Sequence, residues 1–234
     1  MDAATASAVN AQFAAYNTQI LPGLAGLGII TAEEADSRIV SFSAGQNYPI
    51  ITDNDLTDMS GILQGQPFNL PPATAGLLGQ LRQANSGDLT LLTAASVLGS
   101  TPDPSNPQLV VGVSIPVSNE YILTSSEQSK IATATAAYNV TINALASAND
   151  LAIWDSNSAF DVVASIGVPY DGGVLTAAFV TGGAFSLDGV HGSPRGYAYI
   201  ANSVIDAINS KYDATIPKVA IGNYGTVQVT NNGG

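Results

Sequence analysis

The chain has 234 residues, enough for one domain with a large core or two small ones, and only 10% of them are charged. Six basic residues against eighteen acidic give a net charge of −12, which argues against nucleic acid or an anionic membrane as partner, because phosphate contacts need clustered Lys and Arg. The absence of cysteine excludes disulfides, thiolate catalysis and Cys-based metal sites, and no apolar run reaches membrane-spanning length.

In chain order, Thr5 to Leu21 has helical spacing, with Val9, Phe13, Tyr16 and Ile20 on one face, and Pro22-Gly23 is expected to end it. Thr31 and Glu34 have the spacing of a capping box opening a short helix. Arg38 to Phe42 reads as a strand, Gly45 to Asp58 as loop, Met59 to Leu63 as a short helix or turn, and Pro67 to Pro72 as a linker. Ala73 to Gln83 reads as a helix broken at Asn85 to Asp88, and Leu89 to Leu98 as a buried parallel strand running out into a loop at Ala94 to Ser96. Ser100 to Gln108 is loop, and Pro116 argues against a long central strand at Leu109 to Pro116.

Thr124 and Glu127 form a second capping box, followed by a long helix whose apolar face is Ile131, Ala134, Tyr138, Ile142 and Leu145. After a turn at Ala148 to Asp150, Leu151 to Asp155 reads as a short buried strand and Ser158 to Ile166 as a helix. Gly167 to Gly173 is a turn, and Val174 to Val180 is extended or loop. Ser193 suits an N-cap and Pro194 the first helical position. Behind them Tyr197, Ile200, Ala201, Val204, Ile205 and Ile208 mark a buried helix face. Lys218 to Gly234 reads as a flexible Gly/Asn-rich tail with one strand at Thr226 to Val229. No internal repeat stands out. This order of helices and strands is α/β in character.

Chemistry concentrates in the loop before that last helix. His191 is the only histidine, and Asp188 precedes it by three residues. A neutral imidazole accepts a proton from a serine hydroxyl when a carboxylate holds its other nitrogen. The alternative is a loop histidine bonded to backbone. Asp53, Asn54, Asp55 and Asp58 offer oxygen ligands for Ca²⁺, but they lack the glycine and terminal Glu of an EF-hand loop, and a solvated acidic turn is the plainer reading. Asp155 suits a helix cap. Trp154, Tyr197 and Tyr199 suit core or pocket wall, and Leu56, Met59, Ile62, Leu63 and Phe68 either a core or a cap over an acyl pocket.

The block Asp188-Gly-Val-His191-Gly-Ser-Pro-Arg-Gly196-Tyr-Ala-Tyr-Ile-Ala-Asn202 resembles the last conserved block of SGNH (GDSL) hydrolases. Tyr121 to Gln128, Ala136 to Asn139, Phe179 to Asp188 and Ala44 to Asp55 are similar to a bacterial lipoprotein-type branch of that family. The resemblance covers most of the chain but corresponds to the later part of a family member. It implies a partial flavodoxin-like three-layer α/β fold, helix-rich, in which residues 1–118 form a helical or loop insertion or cap with one or two core strands. Residues 119–217 would form the C-terminal part of the hydrolase core, and 218–234 the tail.

The resemblance further implies a carboxylic-ester hydrolase with Asp188 as triad acid and His191 as triad base. It implies no cofactor and no metal, and the apolar content and acidic surface suit a small uncharged acyl-ester substrate better than an anionic polymer. It points to the bacterial cell envelope or secretion, although Met1 to Ser7 has neither the basic nor the apolar region of a signal peptide.

The family's nucleophilic Gly-Asp-Ser block and the Gly and Asn blocks of its oxyanion hole have no counterpart: Gly87-Asp88-Leu89 lacks the Ser, and Ala148-Asn149-Asp150 lacks the Gly. Gly192 stands where Pro is usual. The expectation is therefore a truncated family member. Ser41, Ser43 and Ser96 are weak candidates for a substitute nucleophile. The competing expectation is a catalytically incomplete module that binds partners or self-associates without turnover, and a third is a carbohydrate-binding or adhesion module.

Overall fold

The computed structural model describes residues 1–228. It is a mixed structure of helices and small sheets that divides into two compact units, Met1–Thr135 and Ala136–Gly234. The division falls inside a long helix, not after residue 118. Among the described residues the strands form three two-stranded antiparallel sheets.

The first unit opens with α1 (Ala3–Ala15), capped by Asp2, whose carboxylate accepts the Thr5 N–H at 2.7 Å. The helix does not stop at Pro22. It widens into one π-turn over Tyr16–Ile20 and continues as α2 (Leu21–Gly26). Proline brings no N–H and crowds the carbonyl four residues back, and slipping the register by one residue just before it relieves both problems. The Leu21 N–H accordingly bonds Tyr16 O. Val9, Phe13, Tyr16 and Ile20 are buried, as the spacing predicts.

Thr31 caps α3 (Ala32–Ser37) by accepting from the Glu34 N–H at 3.1 Å, yet Glu34 does not complete the box. Its carboxylate turns instead to the Arg38 guanidinium at 2.6 Å and to Thr57. Arg38 is fully buried, and its remaining N–H groups reach the Gly79 and Thr57 carbonyls. A buried guanidinium needs this full set of acceptors to offset its desolvation.

Val40 to Phe42 joins no sheet. Its edge is satisfied by side chains: Asn17 donates to Val40 O (2.8 Å) and accepts from Val40 N (3.1 Å), and Asn10 does the same for Phe42 (2.9 and 2.8 Å). Two helical asparagines, one heptad apart, stand in for a neighbouring strand. β1 (Ile50–Thr52) pairs with β2 (Leu81–Gln83), Ile51 opposite Arg82. α4 (Ser60–Gln64) and α5 (Pro72–Leu78) pack beside them. The predicted Ala73 to Gln83 helix thus ends at Leu78 and turns into a strand. Leu24, Ile50, Met59, Leu63 and Ala75 are fully buried in one cluster, each large side chain contributing roughly 1.5–3 kcal/mol. Met59 and Leu63 are core, with Phe68 packed against them.

Leu89 to Leu98 is not a buried parallel strand. β3 (Leu89–Thr90) pairs antiparallel with β4 (Ile122–Leu123), and Leu92–Ser96 is a 3-10 turn. Leu92 is 88% exposed. An apolar run without period cannot be assigned from pattern alone, and here its main chain turns after three residues. Arg82 bridges Asp53 (2.6 Å) and Asp88 (2.7 Å), so the apparent Ca²⁺ carboxylates are taken: Asp53 by Arg82, Asp55 by Lys130, and Asp58 by the Ser60 N–H.

α6 (Ser125–Ala148) starts at the complete capping box, Thr124 N to Glu127 Oε2 at 2.9 Å and Glu127 N to Thr124 Oγ1 at 3.2 Å. Its predicted apolar face is bare, however: Ile131, Tyr138, Ile142 and Leu145 are all more than half exposed. The capping signal and length make the helix, whatever its apolar face meets.

In the second unit Leu151 to Asp155 is irregular, neither buried nor in a sheet, with Leu151 54% exposed. Asp155 caps α7 (Ser156–Ser165), accepting from Ser158 N at 3.1 Å. β5 (Val168–Tyr170) and β6 (Gly173–Leu175) form a hairpin around Asp171-Gly172, with Gly172 at φ 103°. Val163, Leu175 and Ala184 make the small core, with the Phe160 and Phe185 rings stacked at 5.7 Å.

α8 (Pro194–Tyr212) closes the unit. Its buried positions are Gly196, Ala198 and Asn202, while Tyr197 is half exposed. The tail is held against it: Asn202 clasps Val219 (2.9 and 2.8 Å), Asn209 clasps Ile216 (2.9 and 2.9 Å), and Arg195 N–H bonds Gly225 O. Residues 218–228 are therefore anchored, and Val229 of the expected terminal strand lies outside the described residues.

Candidate functional site

The loop that carries Asp188 and His191 is built between two fixed points. Phe185 and Gly192 form an antiparallel bridge, and Ser186 N–H donates to His191 O at 2.8 Å, closing the loop at its base. Ser193 is the N-cap of α8. It is buried, accepts from Gly196 N at 3.0 Å and donates its hydroxyl to Gly183 O. Gly196 lets the first turn of α8 lie against Ala184, where a Cβ would sit 2.0 Å from the Ala184 carbonyl oxygen. The loop end is thus fixed to a helix start and to the small core, which gives chemistry a rigid support.

Within the loop Asp188 accepts four hydrogen bonds. Oδ1 takes the Ser186 hydroxyl (2.6 Å) and the N–H groups of Val190 and His191 (2.9 Å each), and Oδ2 faces His191 Nδ1 at 2.6 Å. The Ser186 hydroxyl, the Val190 N–H and then His191 hold the Asp188 carboxyl well below the usual carboxylate range, so it is ionised. An ionised carboxylate can only accept, so Nδ1 carries the ring proton and Nε2 is left as the basic nitrogen. Gly189, at φ 70°, permits the tight turn between acid and base.

The imidazole is 72% exposed and the carboxylate 51%. Apolar rings flank the loop: Phe179 lies beside Gly189 and Tyr197 against Gly192.

The two residues singled out by spacing, Asp188 and His191, are brought into direct contact. Ser41, Ser43 and Ser96 all belong to the first unit, and Ser96 donates to the Thr93 carbonyl. Among the described residues no serine hydroxyl is hydrogen-bonded to the imidazole. Ser186 was missed by sequence reasoning, although the pattern Ser-x-Asp-x-x-His contains it. Arg195 was missed as well. Its guanidinium stacks 4.9 Å from the Tyr170 ring centre, bonds the Tyr170 hydroxyl at 2.8 Å and reaches Tyr224 O, so it is an anchor of the tail.

Tyr199 bonds Ala159 O, and the buried Trp154 Nε1 has no partner among the described residues. A groove of about 780 Å³ in the first unit is lined by Phe42, Tyr48, Leu98 and Val111 among others, with no acidic, basic or imidazole side chain in its wall. Among the described residues no group of three or more His, Asp or Glu is placed to hold a metal ion, and no helix is long and apolar enough to cross a membrane. Compared with known proteins, the chain matches no family model, no curated sequence and no solved structure.

Proposed function

We propose that the chain is a carboxylic-ester hydrolase of SGNH type, in which Asp188 orients His191 as the general base of a Ser-His-Asp mechanism. The observation that carries this reading is the 2.6 Å pairing of Asp188 Oδ2 with His191 Nδ1, in a loop where three further donors fix the carboxylate. In the proposed reaction Nε2 takes the proton of a serine hydroxyl as the oxygen attacks the acyl carbonyl. The imidazolium, held by Asp188, then protonates the departing alkoxide, and a water repeats the cycle on the acyl-enzyme. These steps call on no metal or organic cofactor. Exposed Phe179 and Tyr197 beside the loop and the acidic net charge favour a small uncharged acyl ester over an anionic polymer. The fold proposed is the C-terminal part of a flavodoxin-like hydrolase core.

A second reading is favoured by one observation: no described serine is bonded to His191. On that reading the chain is an incomplete module that binds or self-associates without turnover. Steady-state hydrolysis of a short-chain p-nitrophenyl ester by the purified chain separates the two. The hydrolase reading expects turnover reduced roughly 10³-fold or more in His191→Ala, and strongly in Asp188→Asn. Turnover that survives His191→Ala unchanged, or no turnover at all, rejects it.

A further inference from the structure

The serine beside the acid–base pair touches both of its members. Ser186 N–H donates to His191 O at 2.8 Å, and its hydroxyl donates to Asp188 Oδ1 at 2.6 Å. Its carbonyl accepts the Gly189 N–H at 3.1 Å. One residue therefore holds the acid, the turn and the base together.

The bonds on Asp188 are divided unevenly between its two oxygens. Oδ1 takes three donors: the Ser186 hydroxyl and the N–H groups of Val190 and His191. Among the described residues Oδ2 takes the imidazole Nδ1 alone. A carboxylate offers about four acceptor sites over its two oxygens, so three donors saturate Oδ1. The carboxylate cannot turn without breaking those bonds, and Oδ2 stays aimed at the ring.

Two of the three donors are main-chain groups that the turn supplies whatever its side chains are. The third, the Ser186 hydroxyl, comes from a side chain. Asp188 is half exposed, so each of these bonds competes with water. Ser186 has its own N–H and C=O already engaged within the loop, and it loses little freedom in making the bond.

The same bonds place Ser186 on the wrong side of the ring for attack. A nucleophile must give its proton to Nε2, the basic nitrogen, whereas the Ser186 hydroxyl is spent on the carboxylate that faces Nδ1.

We propose that Ser186 is the positioning residue of the Asp188–His191 pair. By fixing Asp188 Oδ1 it aims Oδ2 at Nδ1, keeps the imidazole in the Nδ1–H tautomer with Nε2 free to take a proton, and is not itself the nucleophile. What the free nitrogen then does rests on the hydrolase reading; the tautomer does not.

His191 is the only histidine of the chain, so ¹⁵N–¹H correlation spectra of the imidazole in the full labelled chain report this residue alone. With the ring neutral, the parent should show a protonated Nδ1 and a bare Nε2. Ser186→Ala should shift the tautomer ratio roughly tenfold toward Nε2–H, the scale of one lost hydrogen bond to a charged group. Ser186→Thr, which keeps the hydroxyl, should restore the parent spectrum. Exchange of the amide at position 186, which closes the base of the loop, should stay as in the parent. Where the parent turns over a p-nitrophenyl ester, Ser186→Ala should lower kcat roughly tenfold with KM unchanged, as for a group that acts through the base.

A tautomer ratio that Ser186→Ala leaves unchanged overturns the proposal, whether or not the chain hydrolyses esters. Faster exchange of the amide at position 186 in that variant also overturns it, since the hydroxyl would then only hold the loop together. So does a fluorophosphonate adduct on Ser186. A tautomer shift in a chain without ester turnover supports the positioning role and rejects the hydrolase reading alone.

Discussion

Ala14-Ala15-Tyr16-Asn17 and Ala136-Ala137-Tyr138-Asn139 are the same four residues on two helices, with opposite surroundings. The first is sealed: Tyr16 is in the core and Asn17 is spent on Val40. The second is open: Tyr138 and Asn139 are exposed and unpaired among the described residues. Helix formation is local and follows from capping and spacing in both cases. Burial is a property of what the rest of the chain brings to the face. The same sequence is a core element in one place and an exposed helix face in the other.

The comparison breaks most visibly at the tyrosines. Tyr16→Ala should destabilise the first unit by about 3–5 kcal/mol, the cost of removing a buried aromatic ring. Tyr138→Ala should stay within about 0.5 kcal/mol, as expected for an exposed position. Urea unfolding midpoints of the two variants measure this, and similar losses at both would mean that α6 is covered.

A pH titration of the same ring comes next. Burial pushes the Tyr16 phenol up to about 12, against a smaller opposing effect of the Arg38 charge. The unfolded phenol ionises near pH 10. The folded state therefore holds its proton longer, and the resulting stability of about 2–3 kcal/mol is complete below pH 10 and lost as pH rises through about 12. Tyr16→Phe should remove this part of the alkaline dependence.

The clamps give a smaller effect. Asn17→Ala leaves the Val40 N–H and C=O unpaired and should cost about 1–3 kcal/mol, whereas Asn139→Ala should cost nothing measurable. Asn202→Ala should loosen the second unit's tail by a similar amount, read as faster amide exchange at Val219.

The smallest effect lies in the site loop. Ser186→Ala removes the largest influence on Asp188 and should raise its carboxyl toward the ordinary range without a change in global stability. A ¹³C titration of the Asp188 carboxyl reads this directly. Because the folded carboxyl is depressed, the loop's stabilisation is complete above the usual carboxylate pKa. It is lost as pH falls through the depressed value, and Ser186→Ala should move that loss to higher pH.

Several features were legible in the sequence because they are set within a few residues. The Thr124–Glu127 box, the Asp155 and Ser193 caps, Pro194 at the start of α8 and the Asp188–His191 contact all follow from local spacing. Glu34 was legible only in part. Its spacing from Thr31 is right for a capping box, but a buried Arg38 competes for its carboxylate and wins, since a guanidinium without acceptors is the costlier loss.

The strands expected at Arg38 to Phe42 and Leu151 to Asp155 join no sheet, although their β-branched and aromatic content suits one, and Arg38 instead closes the last turn of α3. What pattern cannot tell is whether the neighbour is a strand, an asparagine clamp or nothing. The bare face of α6 was invisible for the same reason, since periodicity names the apolar face and not its cover.

At the site, spacing found the acid and the base. It did not find Ser186, whose part depends on the loop closing between Phe185 and Gly192.

In the proposed hydrolase His191, held by Asp188, activates a serine of this chain, and treatment of the full chain with a fluorophosphonate probe, followed by intact-mass measurement, reads that activation. One adduct per chain on a single serine is expected, lost in His191→Ala and strongly slowed in Asp188→Asn. An unmodified chain, or labelling that His191→Ala leaves intact, would contradict it.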